Sequence, residues 1–243
     1  MKKIIYIFLL SVTFNYTYSQ IAYMHYVTVK NSDVKEHIEA EKNVHSKLHK
    51  EEIDKGNKLA WDMWMISNSS YGEPTTTFLY VHFNNPDANY DTQKSSNFTA
   101  HEREAHRKAY QSRVVKEGGL TLGIKASYGI KPGDMPPKNL VINYMNVDFL
   151  KNYEYEQMEK NAGKSYKQNG RAAWGFGKIL NHFGSSKNVQ YLTFDFYNSM
   201  DEIMDARMTT NKLSKAQMST FKSYEELRTI YNTHILTLVA AER

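Results

Sequence analysis

The sequence predicts an α+β protein made of two ferredoxin-like β-α-β-β-α-β repeats, packed sheet to sheet within one chain. Three observations carry this expectation: the two halves resemble each other, each half shows the same order of strand and helix signals, and a proline-rich stretch separates them. With Tyr26 placed over Tyr144, residues 22–43 run ungapped against 140–161 with six identities in 22 positions, including the tripeptide Glu41-Lys42-Asn43 repeated as Glu159-Lys160-Asn161. With Trp61 placed over Trp174, residues 61–85 run against 174–198 with six identities in 25, including Ile66/Ile179, Leu79/Leu192 and Phe83/Phe196. Chance would give roughly one match in fifteen, so the halves are repeats, and a repeat decides the architecture before any single element does. The first alignment has an offset of 118 and the second 113, so five residues are missing from the second repeat between its first helix and its second strand.

In the first repeat, Ala22–Val29 is rich in tyrosine and valine and predicts a strand. Asn31, Ser32 and Asp33 can cap a helix that runs to about Lys55 and is closed by Gly56. Leu59–Ile66 predicts a second strand, SNSSYGEP a turn, and Thr76–Phe83 a third strand with alternating side chains. A charged helix over Thr99–Glu117 and a fourth strand over Leu120–Ile130 complete the unit. The second repeat follows as Leu140–Val147, a helix to about Gln168, Ala172–Leu180, Val189–Phe196, a helical region after Met200, and Ile235–Ala240. This order is the split βαβ arrangement. KPGDMPPK, residues 131–138, holds three of the five prolines and predicts a linker, because proline fixes φ and donates no backbone hydrogen bond. The expected organisation is a signal peptide over 1–20, a first repeat over 21–131, a proline-rich linker over 132–138 and a second repeat over 139–243.

Residues 1–20 have two lysines, an apolar run from Ile4 to Leu10 and a polar region with small residues, the order of a secretory signal peptide, with cleavage expected near Ser19 or Gln20. The apolar run is too short for a membrane-spanning helix, so the mature protein is expected to be soluble, in the periplasm or secreted. The chain has no cysteine, which excludes disulfides, thiolate metal sites, a cysteine nucleophile and a lipidated cysteine. The formal net charge of +5 includes Lys2 and Lys3, and the remaining lysines alternate with glutamates, so nucleic-acid binding is not expected. Glycine-rich phosphate loops, GxSxG and the metalloprotease helix motif are missing from the sequence, which removes support for hydrolase and nucleotide-binding functions.

The element order, the duplicated EKN on the first helix and the tryptophan opening the second strand resemble the dimeric α+β barrel superfamily in its tandem form, over the whole mature chain. The resemblance is nearest to exported bacterial members without an assigned activity. It implies two sheets facing each other, and it admits haem-binding, haem-degrading and cofactor-free oxygenase functions, isomerases and stress-response proteins. Fold alone selects none of these. No cofactor is expected from the residues themselves, and haem enters only through the resemblance.

Strand alternation puts Trp61, Met63 and Met65 on one face and Asp62, Trp64 and Ile66 on the other. Trp61 and Trp174 are expected to be packing residues, and Trp64 faces Gly177 in the alignment, which would leave room opposite it. On the third strands, Leu79, Val81 and Phe83 match Leu192, Phe194 and Phe196 as the face expected under the helices. The opposite face would then place Tyr80, His82 and Asp195 between the sheets with Tyr26 and Tyr144. These residues and Trp64 form the expected lining for a small aromatic or apolar ligand. His82 and Asp195 occupy equivalent positions and could act as a general-base pair. Glu41 and His45, four residues apart on the first helix with His49 nearby, are the other catalytic candidates, although without a third converging residue they do not make a metal site. Glu41 and Glu159 are expected to bind backbone amides or a basic side chain and so hold helix to sheet. His101 and His106, in HEREAHRKAY, are expected to be solvated. The functional expectation is a small-molecule binding protein, with a cofactor-free oxygenase, a haem-handling protein and a structural or interaction module as alternatives.

Overall fold

The computed structural model describes residues 20–67, 72–85, 88, 98–131, 133–182, 189–208 and 214–243. The expected signal peptide lies outside the described residues except for Gln20. Eight strands, β1 (Ile21–Lys30), β2 (Lys58–Ile66), β3 (Thr75–Asn84), β4 (Val114–Tyr128), β5 (Asn139–Val147), β6 (Ala173–His182), β7 (Tyr191–Tyr197) and β8 (Arg228–Glu242), close into a barrel in the order β1-β3-β2-β8-β5-β7-β6-β4. Each half contributes four antiparallel strands, β4-β1-β3-β2 and β8-β5-β7-β6. The seams between halves are antiparallel too, Trp61↔Glu242 to Ile66↔Leu236 and Leu120↔His182 to Tyr128↔Trp174. Both sheet edges are therefore paired, and none is left to recruit another chain.

The closing strands are longer than their apolar patterns suggest. β4 and β8 each have 15 residues, because each pairs with its own sheet over its first part and with the other sheet over its last part. The sequence shows only the second parts, where both faces are covered. In the first parts, Val115–Glu117 and Thr229–Tyr231 are exposed and lack a burial pattern. For the same reason the charged helix, α3 (Ala100–Arg113), ends four residues earlier than expected.

Helices cover the outer face. In the first half, α1 (Val34–Ala40), a π-helical turn (Glu41–His45) and α2 (Ser46–Asp54) form one continuous rod, joined on this face by α3. In the second half, α4 (Asn152–Gly163) is much shorter, followed only by a 3-10 turn over Tyr166–Asn169, and α5 (Met200–Met208) and α6 (Lys215–Leu227) precede β8. The five-residue difference between repeats is thus a shorter helix.

Two apolar layers result. Inside the barrel, Met24, Trp64, Leu79, Leu122, Ile142, Leu192 and Leu236 pack with Tyr26, Phe83, Tyr144, Phe194 and Phe196. Outside, Val27, Trp61, Met63, Phe78 and Tyr80 pack beneath Val34 and Ile38 in the first half. Met145, Tyr155, Trp174, Phe176 and Tyr191 do so in the second. Trp61 and Trp174 thus face outward and Trp64 faces inward, as alternation requires.

The third strands lie with the faces opposite to the expectation. Leu79, Val81, Phe83 and their counterparts point into the barrel, while Tyr80, His82 and Asp195 point outward to the helix side. Phe78 to Val81 are buried consecutively, because a strand with helices on one face and a barrel core on the other has no polar side to mark its orientation.

Trp174 packs against Gly163, where an added Cβ would overlap the indole ring. Gly163→Ala is expected to destabilise the fold by about 1–3 kcal/mol despite the better helix propensity of alanine, since the ring is buried and has nowhere to retreat. Urea unfolding checks this, and a stability equal to or above that of the unaltered protein would contradict the packing.

Candidate functional site

His37, Glu41, His45 and His49 recur at four-residue spacing along the first helix. In an α-helix of 3.6 residues per turn such a strip drifts around the axis. Here Glu41–His45 forms a π-helical turn, whose wider winding takes back part of that drift. The strip therefore keeps facing the sheet, and His37 and Glu41 are almost fully buried, at 0% and 3% exposure. Across from it, β3 presents Tyr80 and His82, β1 presents His25, and α3 contributes His106 and Tyr110. Together they enclose a cleft of about 350 Å3 between helices and sheet, within the range of small-molecule sites.

Hydrogen bonds give the cleft a defined protonation pattern. The Tyr80 hydroxyl donates to the Glu41 carboxylate and lies 2.6 Å from His37 Nε2, which donates to it. The Lys58 ammonium donates to Nδ1 of both His49 and His82, each at 3.0 Å. Those rings accept at Nδ1, so in the neutral state each carries its proton on Nε2. His49 also lies 4.8 Å from the Trp61 ring and 5.1 Å from His82. At the mouth, His25 Nε2 is 3.2 Å from a Glu117 carboxylate oxygen.

Burial governs the titration. It depresses His82 to about 3 and His49 to about 2, helped in both by the Lys58 charge, and His37 to about 4, helped by Arg113. His45 is lowered for the same first reason. Burial also lowers Lys58 to about 8. It raises Glu41 to about 7, against the hydrogen bond from Tyr80 and the charge of Arg113. Inside the cleft, His45, His49 and His82 are thus held toward the neutral form beside Glu41, a carboxyl group that changes charge near neutral pH.

The structure separates the expected site residues into two groups. Tyr26 and Tyr144 do meet inside the barrel, hydroxyl to hydroxyl at 2.6 Å. Trp64 is also inside, 1% exposed, beside an apolar cavity of about 80 Å3, about half the ~150 Å3 that accommodates a benzene. The space expected opposite Trp64 is filled: a Cβ at Gly177 would lie 2.7 Å from Leu122 Cγ. Tyr80 and His82 belong to the outer cleft, with Glu41, His45 and His49. Asp195 is on the outer face of the second half, paired with Arg171 at 2.6 Å and bonded by Asn143 at 3.2 Å. His82 is held by Lys58, so the two do not form an acid–base pair.

Glu41 and Glu159 face arginines at equivalent junctions, Arg113 closing α3 and Arg228 opening β8, the latter at 3.4 Å. The expected basic side chain is in direct contact for Glu159; for Glu41 it is Arg113, the last residue of α3, which acts through its charge while its ion pair is with Glu36 at 3.1 Å. His106, expected in solvent, is half-buried in the cleft, whereas His101 is exposed. His37, Lys58 and Tyr110 were not expected at a site. The four-residue strip from His37 to His49 is the signal that could have found the first of them.

In the second half Gly163 and Lys164 stand where the first has His45 and Ser46, the helix stops, and Trp174 packs into the vacated volume with Phe176 at 5.6 Å. One repeat keeps its cleft and the other fills it.

No protein-family model matches the sequence, and no curated protein does. Solved structures do match along nearly the whole length. One, from Fusobacterium nucleatum and provisionally named a monooxygenase, shares 12% identity over 93% of this chain and 95% of its own, with a TM-score of 0.65. A second, from Lactobacillus acidophilus and named in the same way, shares 12% identity over 92% and 96%, with a TM-score of 0.62. The chain has the tandem dimeric α+β barrel fold. An anthrone oxidase-like protein shares the fold at 9% identity over 92% and 93%, with a TM-score of 0.55. At these identities the likeness is one of fold.

A haem ligated in this tandem barrel would need an imidazole with an unprotonated nitrogen and room for a porphyrin. His49 and His82 accept from Lys58 at Nδ1, which leaves Nε2 protonated and without a lone pair for iron. His45 borders Tyr110, 6.2 Å between rings, in a cleft smaller than a porphyrin with its propionates. In this arrangement His49 and His82 are not poised to ligate a haem iron. Among the described residues no group of three or more histidine and acidic side chains is arranged to hold a metal ion.

A histidine whose folded-state value is depressed contributes stability that is complete above its unfolded value near 6.5 and is lost as pH falls toward the folded one. His82→Gln keeps an acceptor for Lys58 and cannot titrate. Its melting temperature is expected to fall less than that of the unaltered protein between pH 6.5 and pH 4. Parallel curves would contradict a buried neutral His82.

Proposed function

We propose that this protein acts on a small aromatic molecule in the helix–sheet cleft of its first repeat, as a cofactor-free oxygenase that begins by removing a proton from its substrate. The single observation that carries the reading is Glu41. It is a carboxyl group held near neutrality by burial, at the wall of an open cleft, with Tyr80 donating to it. A general base works best when its pKa lies near the working pH. The shared fold with proteins named as monooxygenases and as anthrone oxidase-like supports the reaction class. The reading places the site between helices and sheet instead of between the two sheets. The N-terminal pattern supports an exported protein.

Anthrone illustrates the chemistry. Its methylene opposite the ketone is acidic, and Glu41 takes one of those protons. The carbanion passes electrons to molecular oxygen, and the new C–O bond becomes a hydroperoxide when Glu41 returns the proton. Loss of water then leaves the quinone, so one dioxygen is consumed and one water released. The Nε2–H groups of His49 and His82, polarised by the ammonium behind them, supply donors for a developing oxyanion.

Oxygen uptake with anthrone tests this directly. The unaltered protein is expected to accelerate uptake, with a rate that rises as pH passes about 7, and Glu41→Gln is expected to lose about a hundredfold. No acceleration over buffer, or equal rates in the variant, would overturn it.

A further inference from the structure

A second opening lies on the other face of the sheet, at one end of the barrel interior, with a volume of about 380 Å3. At its floor are Tyr26 and Tyr144, equivalent under the repeat and bonded to each other at 2.6 Å. The direction of this bond follows from its neighbours. The Thr233 backbone N–H donates to Asn232 Oδ1 at 2.8 Å, which turns the Asn232 amide nitrogen toward His234 Nε2 at 3.0 Å. Nε2 accepts, so the neutral ring carries its proton on Nδ1, 2.9 Å from the Tyr144 hydroxyl, and donates there. Tyr144 in turn donates to Tyr26. The Tyr26 proton is the end of the chain, and no acceptor for it is found among the described residues.

Burial lowers His234 and raises both tyrosines, so the chain stays neutral at physiological pH. Gly118 is the cross-strand partner of Tyr26 and shares its face. A Cβ there would meet nothing within 4 Å, so open space lies next to Tyr26 on its own face. Leu120, Ile179 and Val189 supply apolar walls, and Lys116 stands at the exposed rim, while Glu117 turns its carboxylate to His25 on the outer face.

We infer that this mouth is a second binding site, which takes a neutral ring compound through a carbonyl oxygen that accepts the Tyr26 O–H. The barrel mouth and the outer cleft lie on opposite faces of the sheet, so this inference does not depend on the proposed reaction. A carbonyl is the matching group because it accepts without donating, and a donor hydroxyl is what the relay leaves exposed. A neutral ligand is favoured because the floor carries no charge to offset the desolvation of an ion.

Menadione, a neutral quinone, is a suitable probe, and the chain has no cysteine for it to alkylate. Isothermal titration is expected to show binding that weakens about tenfold in Tyr26→Phe, the effect of one lost hydrogen bond. Gly118→Leu, which puts a side chain into open space and leaves the relay intact, is expected to abolish binding without lowering the melting temperature. 2-Methylnaphthalene, which lacks carbonyls, is expected to bind the unaltered protein and Tyr26→Phe equally. No binding at millimolar menadione, or undiminished binding in Gly118→Leu, would overturn the inference.

Discussion

The barrel closes through two strands that each belong to both halves. β4 and β8 pair first with their own sheet and then with the other, so the seams β4–β6 and β2–β8 satisfy backbone groups that would otherwise form exposed edges. Most of the rest follows from this closure. A closed eight-stranded barrel has an interior just wide enough for side chains to fill, and here thirteen buried residues and their neighbours fill most of it. The helices must then lie outside, and two separate helix–sheet layers result, one for each repeat.

Those two layers began alike and have diverged in volume. The first repeat has a helical rod from Val34 to Asp54 with a π-helical turn at Glu41–His45. The added length carries polar, titratable side chains over the sheet and leaves a cleft between them. The second repeat ends its helix at Gly163, and the aromatic cluster of Tyr155, Trp174, Phe176 and Tyr191 occupies the space. Each half keeps an arginine at the junction before or at its last strand whose charge acts on the helix carboxylate, Arg113 on Glu41 and Arg228, in direct contact, on Glu159. The pair common to the two halves is thus the one at the junction with the last strand, and the histidines found only in the first half are the ones that surround open space.

Much of the architecture was legible because repeats and strand alternation are local signals. The equivalence of Tyr26 with Tyr144 placed two hydroxyls on the axis between the halves, where they bond. The orientation of the third strands was not legible: Leu79 and Tyr80 are both buried, and alternation alone does not say which covering is the barrel and which the helix. That ambiguity put Tyr80, His82 and Asp195 on the wrong side and merged two separate spaces into one. The cleft itself was half visible. Glu41, His45 and His49 stood out by their spacing, but Lys58 and His37 gained meaning only when β2 and β3 brought Lys58 to His82 and Tyr80 to His37. Exposed first parts of β4 and β8 carry no periodicity, so the strands that close the barrel looked shorter than they are.

The central claim is that burial in an open helix–sheet cleft tunes Glu41 to titrate where a proton-abstracting base must. The measurement that reaches it most directly is the pH titration of the Glu41 carboxyl carbon by 13C NMR, assigned by comparison with Glu41→Gln. The account requires a midpoint at about 7, well above the 4.5 of an ordinary glutamate. A midpoint near that ordinary value would show a solvated, fully ionised carboxylate and would contradict it.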